Sequence, residues 1–344
     1  MAERIEGPPT TRRRVLLRRR PEGLLADDDV EVVTEAVPEL ADGEALLDNE
    51  VIGIDASVRS WLGDGSGYLP PVELGEVVRC STVGRVVASR CDRYGIGDIV
   101  TTLGGWEDSS VIRDDFFSTW VSEPDPDYDP EAFLALYGST GCTAYIGMME
   151  VGKVTGDDTV VVSAAAGATG SAAAQIAKIA GARVIGIAGG EEKCRWLTEE
   201  VGLDGAIDHR HDDVAQKLRE LAPKRVDLFF DNVGGAVLDA VLSRLAMHAR
   251  VVLCGAISTY NETGKAPGPA NYLQLIQQRA TMTGFLSLDD VPRFPEIGEV
   301  LRAWEREGRL RYHADLHHGL GSSVDALNAM FTGANTGKVV ITLP

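Results

Sequence analysis

TVVVSAAAGATGSAAAQIAKIAG, residues 159–181, decides the fold. Its first residues, TVVVS, form a continuous apolar run, the pattern of a strand covered on both faces. AAAGATGS (164–171) follows, and SAAAQIAKIAG then reads as a helix. Gly181 lies just past that helix, where a left-handed cap favours glycine. Strand, small-residue turn and helix form the context that a dinucleotide-binding turn requires. The spacing is Ala164-x-x-Gly167-x-x-Gly170. Glycine lets the backbone approach a pyrophosphate, and the helix amino terminus offers N–H groups and a positive dipole end. Alanine stands where the strict pattern has its first glycine. Close packing of helix on strand needs the same small residues, and is the competing reading.

Downstream the alternation repeats. ARVIGIA (182–188), GAID (205–208), RVDLFFD (225–231) and ARVVLCG (249–255) read as strands, separated by helical patterns such as EEKCRWLTEEVG, DDVAQKLRELA and AVLDAVLSRLA. Such alternation predicts a parallel sheet with helices on both faces. The first 130 or so residues differ: EALLDNEVIGID, STVGRVVAS and DIVTTLG are short β-like pieces between Gly, Pro and Asp turns. PDPDYDP (124–130) is the best boundary signal, and GKVVITLP at the end is strand-like and positioned to pair with the first domain.

The acid that reads a free ribose is expected about 20 residues beyond the glycines, at the end of the second strand. There the sequence is AGGEEKC, 188–194, with glycines in that place. Glu191 and Glu192 read as the start of the next helix, where carboxylates meet the dipole favourably. Lys193 can fold back over Gly189 and Gly190, and His209 and Arg210 leave the third strand nearby. A small loop with basic neighbours favours a 2′-phosphate, hence NADP over NAD; a plain surface lysine is the competing reading.

A net charge of −19 on 344 residues sets the chain against nucleic acid and anionic membranes. TRRRVLLRRR (11–20) is a basic exception that reads as a strand whose arginines pair with the acidic remainder. No apolar core follows it, so export is not expected, and a cytoplasmic location is. The cysteines Cys80, Cys91, Cys142, Cys194 and Cys254 are scattered and contain no CxxC, which indicates neither a disulfide framework nor structural zinc.

AAAGATGSAAAQIAK, GIAGGEEKCRWL, FFDNVGG and CGAISTYN, in this order, resemble the medium-chain dehydrogenase/reductase superfamily. More narrowly they resemble its zinc-independent leukotriene dehydrogenase / prostaglandin reductase / alkenal double-bond reductase branch, from about residue 45 to 343. The resemblance implies an α/β protein: a GroES-like β-rich substrate domain from residues 1–132 and 312–344, and a Rossmann NADP-binding domain from 133–311. It also implies NADPH and a homodimer. Cofactor contacts carry over to Ala164, Gly167, Ala168, Thr169, Gly170, Gly189 and Lys193, the last on the 2′-phosphate. They carry over also to Thr143, Asn232, the Cys254–Ile257 segment, Phe285 and Asn335. His209 stands where the branch commonly has tyrosine. Ser139 stands where it often has methionine, and Ser57 where a pocket tyrosine is usual, so substrate preference does not carry over.

Zinc-dependent relatives carry a cysteine and a Gly-His-Glu ligand segment, whereas the comparable stretch here, ELGEVVRC (73–80), has no histidine. Cys80 beside Glu76 falls short of three ligands, and no metal is expected. Asp55 and Arg59 of IDASVRS (54–60) are expected to form a local salt bridge. Without a metal, reduction of a carbon–carbon double bond conjugated to a carbonyl is the easier chemistry, since charge spreads onto the carbonyl oxygen. Tyr260 of STYN follows the strand ARVVLCGAI and is the candidate to assist that oxygen. NETGKAPGPANY (261–272) is placed where a specificity loop would serve. The expectation is an NADPH-dependent reductase of enones or enals. A quinone reductase and a non-catalytic NADPH-binding protein are the alternatives.

Overall fold

The structure, a computed structural model of the chain, describes residues 7–64, 67–115, 117–122, 129–262 and 267–344. Residues 124–128 of the expected boundary and 263–266 of the expected specificity loop lie outside the described residues. The chain divides into two compact units: 1–134 with 314–334 and 339–344, and 135–313 with 335–338. The sequence-based division gave all of 312–344 to the first domain, whereas residues 335–338 pack with the second unit.

The first unit is built on β1 (Thr11–Leu17), β2 (Val30–Ala36), β3 (Glu44–Ile54), β4 (Arg79–Ser89), β5 (Ile99–Gly105), β6 (Ser109–Arg113) and β7 (Thr119–Ser122). β1 and β2 form an antiparallel ribbon that sets Arg12 opposite Glu35 and Leu16 opposite Glu31. The basic run is consumed there: Arg12 pairs with Glu35 (2.7 Å), Arg13 with Asp108 (3.1 Å), Arg14 with Glu107 (2.9 Å) and Arg19 with Asp29 (2.7 Å). Arg59 corrects the local salt bridge expected with Asp55. Its guanidinium donates to the carbonyls of Gly23 (3.0 Å) and Pro21 (2.9 Å), and so pins a segment 36 and 38 residues away. The helix Ser57–Trp61 buries the Arg59 side chain, where the two carbonyls satisfy its guanidinium.

The second unit carries β8 (Thr159–Ser163), β9 (Arg183–Ala188), β10 (Gly205–Asp208), β11 (Val226–Asp231), β12 (Leu245–Leu253) and β13 (Thr281–Gly284). Among the described residues these make a six-stranded sheet in the order β10-β9-β8-β11-β12-β13, every neighbouring pair parallel. In order of appearance this is 3-2-1-4-5-6, the doubly wound order of dinucleotide-binding domains. β8 and the apolar parts of β9 and β11 are buried, as their uninterrupted runs of Val, Ile and Phe require. Gly181 and Gly202 both take positive φ, +89° and +79°, just past their helices. The chain then returns to the first unit through β14 (Ala314–His318) and β15 (Lys338–Thr342), where β15 pairs antiparallel with β3.

Candidate functional site

Strand order directs the chain between β8 and β11 in opposite senses, and ligands of open α/β sheets bind outside the carboxyl ends at such a point. Two groups at those ends were not anticipated from the sequence. Ser163 ends β8 and donates through Oγ to Asp231 Oδ1 at 2.7 Å, closing the switch point. Asp231 is fully buried and also accepts from the N–H groups of Val233 (3.0 Å) and Gly234 (3.1 Å). Burial pushes its carboxyl above the ordinary range; Ser163 and the two N–H groups act in the opposite direction. Asn232 is drawn into the same knot, its N–H donating to Ser163 Oγ (2.8 Å) and its Nδ2 to the Ser163 carbonyl (2.7 Å).

The glycine turn follows directly from β8. Gly167 is the N-cap of the helix Ala168–Ile179, and no side chain caps it. The N–H groups of Ala168, Thr169 and Gly170 belong to the first turn and lack intrahelical acceptors. A Cβ on Gly170 would sit 2.2 Å from the Ala164 carbonyl oxygen, so only glycine lets the helix settle this close to the turn. Gly167 N–H closes the turn on the Ala164 carbonyl at 2.9 Å. Ala164 itself has φ +48°, the left-handed conformation for which glycine is usual. The departure from the glycine pattern is therefore a strained alanine in an unchanged turn. Ala164→Gly is expected to stabilise the protein by about 0.5–1 kcal/mol, since a left-handed penalty of roughly 1–2 kcal/mol exceeds the entropic cost of glycine. Denaturant unfolding checks this, and a less stable variant would show the alanine to be unstrained.

Residues 335–338 lie along the same turn: Gly337 N–H donates to the Ala166 carbonyl at 2.7 Å, and Gly167 and Gly337 form a parallel bridge. Asn335, buried, is thereby brought beside the glycine turn, with Nδ2 on the Gly337 carbonyl at 3.2 Å.

At the end of β9, Gly190 (φ +101°) caps the helix Glu191–Glu199. Glu191 and Glu192 occupy its first turn, exposed, and Lys193 follows half-buried. Gly189 lies under two basic side chains: a Cβ there would meet Arg210 Nε and His209 Nε2, each at 2.9 Å. His209 is held below its ordinary pKa by burial, then by the charges of Arg210 and Lys193, with Asp208 opposing. His209 and Arg210 thus lie over Gly189, and Lys193 is within electrostatic reach of His209, so the three make one basic cluster.

β12 leads into the segment that hangs on the Asp231–Gly234 knot. Cys254 N–H and Gly255 N–H donate to the Asp231 carbonyl (2.8 and 3.1 Å), and Ile257 N–H to the Asn232 carbonyl (3.2 Å). Burial, then Asp231, pushes the Cys254 thiol up to about 12, so it is a neutral packing group. Tyr260 folds back over this segment, its hydroxyl oxygen accepting from Ala256 N–H at 3.1 Å. Burial raises its pKa above 10; Ala256 N–H opposes this, and Cys254 and Asp231 add to it.

Thr143, in the helix Ser139–Tyr145, donates to Ser287 Oγ at 2.7 Å, a partner the sequence gave no sign of. Phe285 packs on the main core of this unit, where Gly147 makes room: a Cβ there would lie 2.7 Å from the ring. Ser139 is exposed at the start of its helix. Ser57 belongs to the first unit, where its carbonyl accepts from Ser60 Oγ at 2.7 Å. Among the described residues, no group of three or more His, Cys, Asp or Glu is placed to hold a metal ion.

Residues 13–119 match a family model described as the N-terminal domain of oxidoreductase, and residues 168–303 one described as zinc-binding dehydrogenase. The chain is 35% identical over 334 residues to the NADPH-dependent curcumin reductase of Escherichia coli (strain K12), covering 96% of each. The chain belongs to the zinc-independent branch of the medium-chain dehydrogenase/reductase superfamily. A second relative in this superfamily, the NADP(+)-dependent 2-alkenal reductase of Nicotiana tabacum, is 32% identical over 99% of this chain and 98% of its own. Among solved structures, CurA from Vibrio vulnificus in complex with NADPH superimposes with a TM-score of 0.91 at 35% identity, covering 96% of this chain and 99% of that one. The medium-chain architecture, a GroES-like domain with a Rossmann domain, is the one described above.

Proposed function

We propose that the protein is an NADPH-dependent reductase of the C=C bond of α,β-unsaturated carbonyls. The observation that carries this reading is the conjunction, in one Rossmann unit, of an uncapped glycine-turn helix, a basic cluster over Gly189 and a half-buried tyrosine just past the carboxyl end of β12. The glycine turn suits a pyrophosphate, since the helix Ala168–Ile179 starts on Gly167 with no side-chain cap and its first-turn N–H groups are left to a ligand. The basic cluster suits a 2′-phosphate in the same way. Relatives named for NADPH-dependent reduction of curcumin and of 2-alkenals support both cofactor and substrate class.

In this reading Gly167, Ala168, Thr169 and Gly170 hold the pyrophosphate, and Lys193 and His209 the 2′-phosphate. Asn232, Cys254, Ile257, Phe285, Asn335 and Thr143 line the rest of the cofactor. NADPH, when bound, supplies the hydride for the β-carbon of the substrate. Tyr260 works on the other end of the conjugated system. Its raised pKa keeps it a phenol at neutral pH, and its oxygen already accepts from Ala256 N–H, which leaves the O–H to donate to the substrate carbonyl oxygen. The homodimer is part of the proposal: β13 is an edge strand, and Tyr272 and Ile276 of the neighbouring segment are exposed. A 36.8 kDa particle in sedimentation equilibrium would remove it.

The deciding experiment follows cofactor consumption with an enone panel and a quinone, using NADPH and NADH in parallel. Enone-dependent oxidation of NADPH, with NADH poor, is the expected result. Reduction of the quinone alone would replace the alkene assignment with a quinone reductase, and no turnover would leave a cofactor-binding protein.

His209 makes the cofactor preference depend on pH. In the free protein its imidazole is biased towards neutrality by burial, Arg210 and Lys193, against Asp208. A 2′-phosphate favours the protonated ring, so binding takes up a proton and tightens as pH falls. Between pH 8 and 6.5, NADPH affinity is expected to rise about three- to tenfold, with NADH unchanged. His209→Gln should flatten the slope; an unaltered slope would remove His209 from the phosphate.

A further inference from the structure

Asp208 ends β10 and reaches across to the neighbouring strand. Its Oδ1 accepts from the N–H of Gly190 at 2.7 Å and of Arg210 at 3.0 Å, while Oδ2 lies 2.6 Å from His211 Nδ1. Gly190 is the N-cap of the helix that carries Lys193, and Arg210 follows His209. A second clip lies alongside, with His209 N–H on the Ala188 carbonyl at 3.0 Å. One carboxylate therefore ties the turn that bears Lys193 to the turn that bears His209 and Arg210. The tie is needed because two consecutive glycines leave the first of these turns with little conformational restraint of its own.

A carboxylate beside an anion site is an unexpected choice, because it repels what the site is to bind. Here its charge is already committed. Burial pushes Asp208 up, but the bonds to His211, Gly190 N–H and Arg210 N–H hold it down at about 2. It stays ionised at neutral pH and faces donors of its own.

We infer that Asp208 is a positioning residue for 2′-phosphate recognition: by holding Gly190 and Arg210 together it sets the spacing of Lys193 from the His209–Arg210 pair, and so sets the preference for NADPH over NADH. The inference rests on the proposed role of Lys193.

Calorimetric titration of the full chain with adenosine 2′,5′-bisphosphate and with 5′-AMP tests it without turnover. Asp208→Ala is expected to weaken the bisphosphate about ten- to fiftyfold and AMP less than threefold, since a rigid phosphate pocket is lost and the rest of the nucleotide site is not. Asp208→Asn keeps an oxygen for both N–H groups and should restore the preference to within about threefold of the parent. Asp208→Ser can serve its own turn but is too short for Gly190, so it should behave as alanine does and replaces that variant if alanine prevents folding. Lys193→Ala is run alongside. If it abolishes the preference while Asp208→Ala and Asp208→Ser leave it intact, or weaken both ligands equally, the role of Asp208 is overturned alone. If Lys193→Ala leaves the preference intact, the phosphate pocket itself is misplaced and the inference goes with it. An asparagine variant as weak as alanine would show that charge and not the tether matters, and would also overturn it.

Discussion

Lys193→Ala is expected to raise the Kd for NADPH by about 10- to 100-fold while leaving that for NADH within about threefold. The magnitude follows from one charge-assisted hydrogen bond to phosphate, worth roughly 1.5–3 kcal/mol, at about 1.4 kcal/mol per decade. Loss is not complete, because His209 and Arg210 remain over Gly189. The location of Lys193 makes the effect selective. It is the third residue of its helix and half-buried, so its stem is held while its ammonium reaches the electrostatic neighbourhood of His209. Glu191 and Glu192, one turn edge away, point their charge at the helix dipole in solvent. Fluorescence titration with both cofactors measures the ratio. An equal loss for NADPH and NADH would place Lys193 elsewhere on the nucleotide, and no loss would return it to the surface.

What the sequence disclosed about this site was what lies within one strand–turn–helix unit. The small-residue turn at 164–170, the glycines at 189–190 and the helix-starting glutamates are local patterns with local physical causes. What it hid were pairings across strands. Asp208 meets Gly190 because β10 lies beside β9 in parallel register, Asp208 opposite Ala188. Ser163 meets Asp231 because β8 and β11 become neighbours only when the strand order reverses. Arg59 shows the same rule as an error: its i, i+4 neighbour Asp55 looked like a partner, but two carbonyls of a distant segment hold it. An aspartate that ends a buried strand, as in GAID and RVDLFFD, was the available signal, since a carboxylate there must find donors on a neighbouring strand end.

Those hidden pairings also bear on the chemistry. Asp231, buried and fastened by Ser163, presents its carbonyl to Cys254 and Gly255, and Asn232 presents its own to Ile257. The segment that carries Tyr260 is therefore anchored on the end of β11 as well as by its own turn. Tyr260→Phe is expected to lower kcat for enone reduction by about 10- to 100-fold, with NADPH affinity within twofold of the parent. Removing a single donor to a developing oxyanion costs about 10²–10³ where no other group can take its place. A ribose hydroxyl of NADPH, once bound, would be a second donor of the same kind, which sets the expectation lower. The pH profile separates donation from packing. A phenol donates only while protonated, and burial places its ionisation above the ordinary value of 10. The parent rate should therefore hold through pH 9 and fall only beyond 10, whereas the phenylalanine variant, slower throughout, should lack that fall. A raised KM with kcat intact would make Tyr260 a substrate-positioning group, and a loss of NADPH affinity together with a lower Tm would mean that the hydroxyl serves chiefly to satisfy the Ala256 N–H.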